Sequence, residues 1–490
     1  MTSWLSAVTA ASWTEVFPDR DGPRVTLAPE GSLAPGALRS LLSRVGDRLD
    51  AVTAAAPGAV IAVETSDPFA NLVVSLAAWS RAATVVPIDP ATPPQRRAQM
   101  LHTSGATAAV TVDADRTSAG AYRCDPVAAA DRPDLGNHPG YVMFTSGSTG
   151  VPKGVQVRLD VLHQRIATFA GHVGFAERDS VPSLTSPSFD ISWIETLVPL
   201  VAGGEARFPL RTARTNVAAL VRSLTKEPPT VVQATPTMFG VMAALGFSPT
   251  AGTSVWSAGE ALPGPLADEL AATAGSVWNH YGPTEAVIYA TTWRYSRALG
   301  DQTAPIGHPI APSTCQIDTD EHGAGELLLG GLLAEGYLGN RSATDKVFVA
   351  REGVRAYRTG DVCGTGPDGL EFLGRRDSQV KVRGVRVELG DVEAALARVT
   401  GSHQVAALAV PDDSGAVSLV AVLAGGGHDP DDVRRRIVGE LPPLYRPSRY
   451  VVLDEELPQT ISGKLDRHAI VGRLRNGPAG ADRAGSGQAP

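Results

Sequence analysis

Lysine is scarce in this chain. Only five of its 43 basic residues are lysines, at Lys153, Lys226, Lys346, Lys381 and Lys464. Arginine serves well for surface charge, so each lysine becomes a better candidate for a place that needs a compact point charge. Cysteine is scarcer still. Cys124, Cys315 and Cys363 are scattered and form neither a disulfide framework nor a metal-binding spacing. An excess of positive charge is also missing: the net charge is −8. That argues against a general nucleic-acid binder but leaves room for a local site for a small anion. No apolar run reaches the roughly 18–20 residues of a membrane span. The opening stretch MTSWLSAVTAASWTEVFPD has no basic segment ahead of its apolar part, so it does not read as a secretory signal. The expectation is a cytoplasmic protein with no nucleic-acid and no membrane partner.

The 490 residues suffice for two or three domains. From about 35 to 375, helical patterns alternate with short β-rich runs. Strands are expected over 57–65, 84–89, 106–112, 140–145, 229–233, 253–259 and 276–282, and helices over 68–83 and 160–173. Such alternation predicts mostly parallel sheets flanked by helices, with a ligand site beyond the strand carboxyl ends. After about 376 a short strand, a capped helix, two strands and a helix near 429–440 predict a small α+β domain. The boundaries read 1–376 for the large domain and 377–475 for the small one. The Gly/Ala/Pro-rich stretch 476–490 reads as a disordered tail.

The most pointed stretch is TSGSTGVPKG, residues 145–154. It departs from the P-loop pattern G-x-x-x-x-G-K-[ST]. It could still hold phosphate. Gly147 and Gly150 let backbone amides approach an anion, the hydroxyls of Thr145, Ser146, Ser148 and Thr149 donate, and Lys153 adds charge. A flexible linker is the competing reading of this stretch alone. Four further stretches follow in order: NHYGPTEA (279–286), YRTGD (357–361), GRRDSQVKVRGVRVELGDVE (374–393) and SGKLDR (462–467).

Together the five resemble the core motifs of the adenylate-forming superfamily. More closely, they are similar to the amino-acid adenylation domains of nonribosomal peptide synthesis, over about residues 75–467. The resemblance implies that fold: a large N-terminal α/β core and a small mobile α+β C-terminal domain. It implies ATP and Mg2+ as cofactors. It also implies a two-step reaction, in which an amino acid becomes an aminoacyl-AMP and then passes to the phosphopantetheine thiol of a carrier protein. By motif position, Thr145 to Gly150 and Lys153 would hold the phosphates. Asn279 and Tyr281 would bond and stack on adenine, Thr284 would reach the α-phosphate, and Gly259 and Gly282 would line the ATP site. Glu285 would bind magnesium, Asp361 the ribose hydroxyls, and Arg375 ribose or phosphate. Lys464 would be the catalytic lysine and Asp377 the hinge. Lys381 reads as an exposed lysine.

PSFDISWIETLVPL (187–200) matches the motif whose aspartate, here Asp190, pairs with the substrate α-ammonium. Its competing reading is a helix N-cap. The remaining pocket positions carry over to Ile191, Ile194, Gln233, Trp256, Ala258, His280, Ile288 and Tyr289. Only His280 among them can carry charge. Large rings and branched chains leave little room, so the expected substrate is a small uncharged amino acid: glycine, alanine, proline or serine. No carrier-protein serine motif follows residue 467 and no condensation region precedes residue 35. The expectation is a freestanding enzyme with its carrier protein in trans, with or without a small helper protein. An acyl- or aryl-CoA ligase, a β-amino acid adenylating enzyme and a non-catalytic relative remain open, although Asp190 speaks against the first.

Overall fold

In the computed structural model the described residues are 2–18, 22–28, 31–53, 58–113, 115–127, 140–145, 152–209, 216–319, 324–376, 379–382, 385–411, 417–425, 427–458 and 465–476. They fall into two compact units. The first is Met1–Pro90, Met100–Phe144 and Lys153–Arg376; the second is Ala91–Gln99, Thr145–Pro152 and Asp377–Pro490.

The first unit is built on apolar strands that are buried on both faces, as parallel strands covered by helices must be. Val60–Glu64 pairs in parallel with Thr84–Ile88 on one side and Ala108–Val112 on the other. Gly140–Thr145 joins beyond Thr84–Ile88, within a seven-stranded sheet. The helix Pro68–Trp79 is buried along its whole length. It starts where Asp67 accepts from the Phe69 amide at 3.0 Å and Pro68 presets the first turn. A second sheet carries Val231–Ala234, Ser254–Ala258 and Ser276–Tyr281 in parallel, followed by antiparallel Thr291–Arg294 and His308–Pro309. Its register sets Gln233 beside Trp256 and Ala258 beside His280.

The α/β alternation expected up to residue 375 stops earlier. Thr314–Thr319, Gly325–Gly330, Val354–Gly366, Phe348–Arg351 and Gly369–Arg375 pair antiparallel throughout. The turn between Phe348–Arg351 and Val354–Gly366 explains part of this. Glu352 and Gly353 sit at φ 52° and 79°, and two successive positive-φ residues match the right-handed twist of a tight hairpin. Val354–Gly366 also alternates buried and half-exposed positions along its middle, as a strand with one wetter face does.

The second unit contains the hairpin Gln379–Val382 with Val385–Glu388 and the helix Leu389–Thr400, which Gly401 ends at φ 70°. It also holds a three-stranded sheet, Val405–Pro411, Val417–Ala424 and Arg449–Leu453. The helix expected near 429–440 is α-helical over Pro430–Arg436 and tightens to a 3₁₀ turn at Ile437–Gly439. Lys381 is half-buried rather than exposed, opposite Arg386 on the hairpin. The tail expected at 476–490 lies outside the described residues beyond Asn476. No helix among the described residues is long and apolar enough to cross a membrane.

Candidate active site

Strand side chains alternate in direction. On Ser276–Tyr281 this sends Asn279 and Tyr281 to one face and His280 to the other. On the first face, the Tyr281 hydroxyl donates to Asp361 Oδ2 and Arg375 pairs with Asp361 Oδ1. Asp361 and Arg375 are direct cross-strand neighbours. Burial, then the Asp361 charge, holds the Tyr281 phenol well above its usual range. The Asn279 amide donates to the carbonyl of Pro305 at 2.8 Å. Its Oδ1 accepts from nothing among the described residues, although the side chain is only 2% exposed. Gly282 follows because nothing larger fits: a Cβ there would lie 2.2 Å from the Ile288 carbonyl oxygen. Gly259, directly after Ser254–Ala258, takes φ 88°.

A short 3₁₀ turn, Thr284–Ala286, presents Glu285. Its carboxylate is fully buried and accepts from the Tyr337 hydroxyl at 2.7 Å. The Lys153 ammonium stands 5.2 Å from the centre of the Tyr337 ring, so Lys153, Tyr337 and Glu285 share one neighbourhood. Thr284 is half-buried beside it, and Thr145 is buried at the end of Gly140–Thr145. Ser146, Gly147, Ser148, Thr149, Gly150, Asp377 and Lys464 lie outside the described residues.

On the other face of the strand is a cage of rings. Phe169 packs against Trp256, His280 and Tyr289 with centroids 5.2, 5.0 and 5.3 Å away. His280 stacks on Tyr289 at 4.9 Å. Ala258, Ile194 and Ile288 are buried around them and Ile191 is half-buried. His280 shares a 2.8 Å hydrogen bond with Thr292 through Nδ1. Burial, and next the nearby His172, drives its pKa down to about 3, so the ring is neutral. The one pocket position able to carry charge does not carry it at neutral pH.

Asp190 is 8% exposed at the edge of this cage. The following helix, Ser192–Ala202, has Ile191 at its cap position with no side-chain cap bond. The Asp190 charge reaches Tyr141 and Tyr289, where it adds to burial in raising both phenols.

The sequence reading overlooked Glu195, Phe169 and Arg165. Glu195 is fully buried. It accepts from the amides of Leu184 and Thr185 at 2.8 and 2.9 Å, the Thr185 hydroxyl at 2.7 Å and Gln233 Nε2 at 3.0 Å. Burial raises its pKa, and these donors pull against that rise. A signal existed: Glu195 is the one charged residue in the apolar helix SWIETLVPLVA. Phe169 carries no such signal, because an aromatic on the buried stripe of a helix reads as core. Arg165 is a cation on that same buried stripe of Leu159–Val173, which is an anomaly for a surface helix.

Family models described as "AMP-binding enzyme" and "AMP-binding enzyme C-terminal domain" match residues 36–338 and 391–464. A dimodular nonribosomal peptide synthase of Bacillus subtilis is 35% identical over 68% of this chain and 14% of its own length. Phosphinothricin tripeptide synthetase PhsB of Streptomyces viridochromogenes is 35% identical over 89% of this chain and 39% of its own. The chain thus spans well under half the length of these curated relatives. Among solved structures, the Vibrio cholerae adenylation domain AlmE, in complex with glycyl-adenosine-5'-phosphate, superposes with a TM-score of 0.80. The match covers 96% of this chain and 97% of that one at 22% identity, a likeness of fold.

Proposed function

The chain belongs to the AMP-binding enzyme family, and from that premise we propose that it joins a small amino acid to AMP at the expense of ATP, releasing pyrophosphate. The observation that carries this reading is the two-sided strand Ser276–Tyr281. Asn279 and Tyr281 turn toward Asp361 and Arg375, while His280 turns into the ring cage beside Asp190. One strand thereby separates a polar site suited to a nucleoside from a closed site suited to a small ammonium acid.

The donor sets suit those ligands. With its nitrogen committed to Pro305, Asn279 offers an acceptor, and the exocyclic amine of adenine is a donor. Asp361 is an acceptor-only group, which suits two adjacent ribose hydroxyls. Asp190 supplies the carboxylate that a buried α-ammonium requires. The close packing of the Phe169, Trp256, His280 and Tyr289 rings supports a side-chain space with little room. Glycine is therefore the favoured substrate, followed by alanine, serine and proline.

Magnesium fits the same site. Glu285 is a buried carboxylate that accepts from the Tyr337 hydroxyl, a hard oxygen ligand of the kind magnesium takes. A magnesium ion held there would share its coordination with phosphate oxygens. When bound, the metal would neutralise phosphate charge. Lys464 would add a second positive charge at the α-phosphate. The activated acyl group would pass to the phosphopantetheine thiol of a carrier protein.

Amino-acid-dependent exchange of pyrophosphate into ATP tests this reading. The panel is glycine, alanine, serine, proline, phenylalanine, leucine, β-alanine and aryl acids. Glycine should give the fastest exchange, with the other small amino acids next. Fastest exchange with an aryl acid, with β-alanine or with a large side chain would overturn it.

A further inference from the structure

We propose that Arg165 is a positioning residue that holds the strained turn between Glu285 and Tyr289, and so sets metal affinity and substrate size together. The proposal rests on the roles given to those two residues above.

The turn is Val287–Ile288. Their φ angles are 57° and 72°, in the left-handed region that β-branched residues avoid because Cβ crowds the backbone. Both side chains are buried, at 0% and 1% exposure. Two such residues in succession persist only where the surroundings hold them. Glu285 lies two residues before the turn and Tyr289 directly after it, so any relaxation of the turn moves both.

Arg165 supplies the hold. Its Nε donates to the Val287 carbonyl at 3.0 Å, and its Nη2 to the Ala286 carbonyl at 3.3 Å and the Ser313 hydroxyl at 2.7 Å. The guanidinium is wholly buried, has no carboxylate partner among the described residues, and leaves Nη1 without a hydrogen bond there. Burial lowers its pKa to about 10, which still leaves it a cation at neutral pH. A buried cation without a counter-charge is costly. Here its planar fork is directed at two consecutive backbone carbonyls, a geometry that lysine cannot reproduce. Arg165 stands four residues before Phe169 on Leu159–Val173, and residues at that spacing share a helix face. A single face therefore carries both the clamp on the turn and the ring that fills the pocket.

The test uses the full chain with Arg165→Met, Arg165→Lys, Val287→Gly and the double variant Arg165→Met/Val287→Gly. The readouts are exchange with glycine against alanine, and the magnesium concentration giving half-maximal exchange. Melting temperature is followed alongside. Arg165→Met should lower the glycine preference and raise the magnesium requirement, each about tenfold. Arg165→Lys should move both the same way by less, and it stands in if the methionine variant does not fold. Val287→Gly should recover most of both losses in the Arg165→Met background, because glycine adopts positive φ without strain. Unchanged selectivity and magnesium dependence in both Arg165 variants overturns the proposal. So does a double variant worse than Arg165→Met alone. If the wild type shows no amino-acid-dependent exchange, the proposed function fails instead. The clamp is then judged by calorimetric binding of ATP with magnesium, where the same loss and recovery are expected.

Discussion

The hydroxyl of Tyr289 donates to Oε1 of Gln233 at 3.0 Å. The other end of that amide donates to Glu195 and to the Ile191 carbonyl. Glu195, an acceptor held by several donors, decides which way the Gln233 amide faces. Tyr289 must therefore give its proton to Gln233, and its ring is tied in place against His280 rather than resting there by packing alone. The ring cage is thus held by hydrogen bonds as well as by packing.

Removing that ring should widen the substrate range. Tyr289→Ala should raise exchange with leucine or phenylalanine relative to glycine by roughly tenfold to a hundredfold, since overpacking a formed site costs about 1–3 kcal/mol. Trp256→Ala should act the same way. Relative rates across the amino-acid panel measure it. An unchanged preference for glycine would mean that Tyr289 does not bound the side-chain space.

Asp190→Ala should nearly abolish exchange with the cognate amino acid. Leaving a buried ammonium without its partner costs roughly 3–5 kcal/mol. The des-amino analogue should lose little by comparison with wild type. If the amino-acid preference survives the substitution, the ammonium is held elsewhere and a β-amino acid becomes the better substrate.

Lys464→Ala should slow adenylate formation by about 10²–10³-fold, the usual effect of losing one transition-state donor. Thioester formation from supplied aminoacyl-AMP should suffer much less. Equal damage to both half-reactions would exclude a lysine that serves only the first.

Acid should expose the buried histidine. Burial holds the pKa of His280 at about 3, below the ordinary histidine value of about 6.5. Folding favours the neutral ring, so this contribution to stability is complete above about pH 6.5. It is lost as pH falls toward 3, at up to about 1.4 kcal/mol per pH unit. Wild type should therefore lose melting temperature across that window faster than His280→Gln. Taking the difference between the two proteins cancels carboxylate titrations they share. Parallel curves would show that His280 is not the group responsible.

The residues proposed to face the nucleotide were legible in the sequence because their chemistry lies in contiguous motifs. NHYGPTEA alone places Asn279, Tyr281, Gly282 and Glu285, and strand alternation separates His280 from its neighbours without any knowledge of the fold. Gln233 and Trp256 were carried over only by ungapped spacing from the family's motifs, and it is the register of the sheet that sets them side by side. The all-antiparallel sheet of 314–375 was less legible. Its turn residues, such as Glu352 and Gly353, were present, but the α/β alternation before them dominated the reading.

What only the tertiary structure decided is how distant residues are paired. Glu195 reaches Gln233 across 38 positions, and Arg165 reaches Val287 and Ser313 across 122 and 148. Each of these residues, taken in its own stretch, is a charge on an apolar helix with no stated partner. Hydrogen bonds inside a packed interior depend on which strands and helices lie side by side. No local pattern records that, whereas the TSGSTGVPKG run, the strand period and the YGPTE turn are written in neighbouring residues.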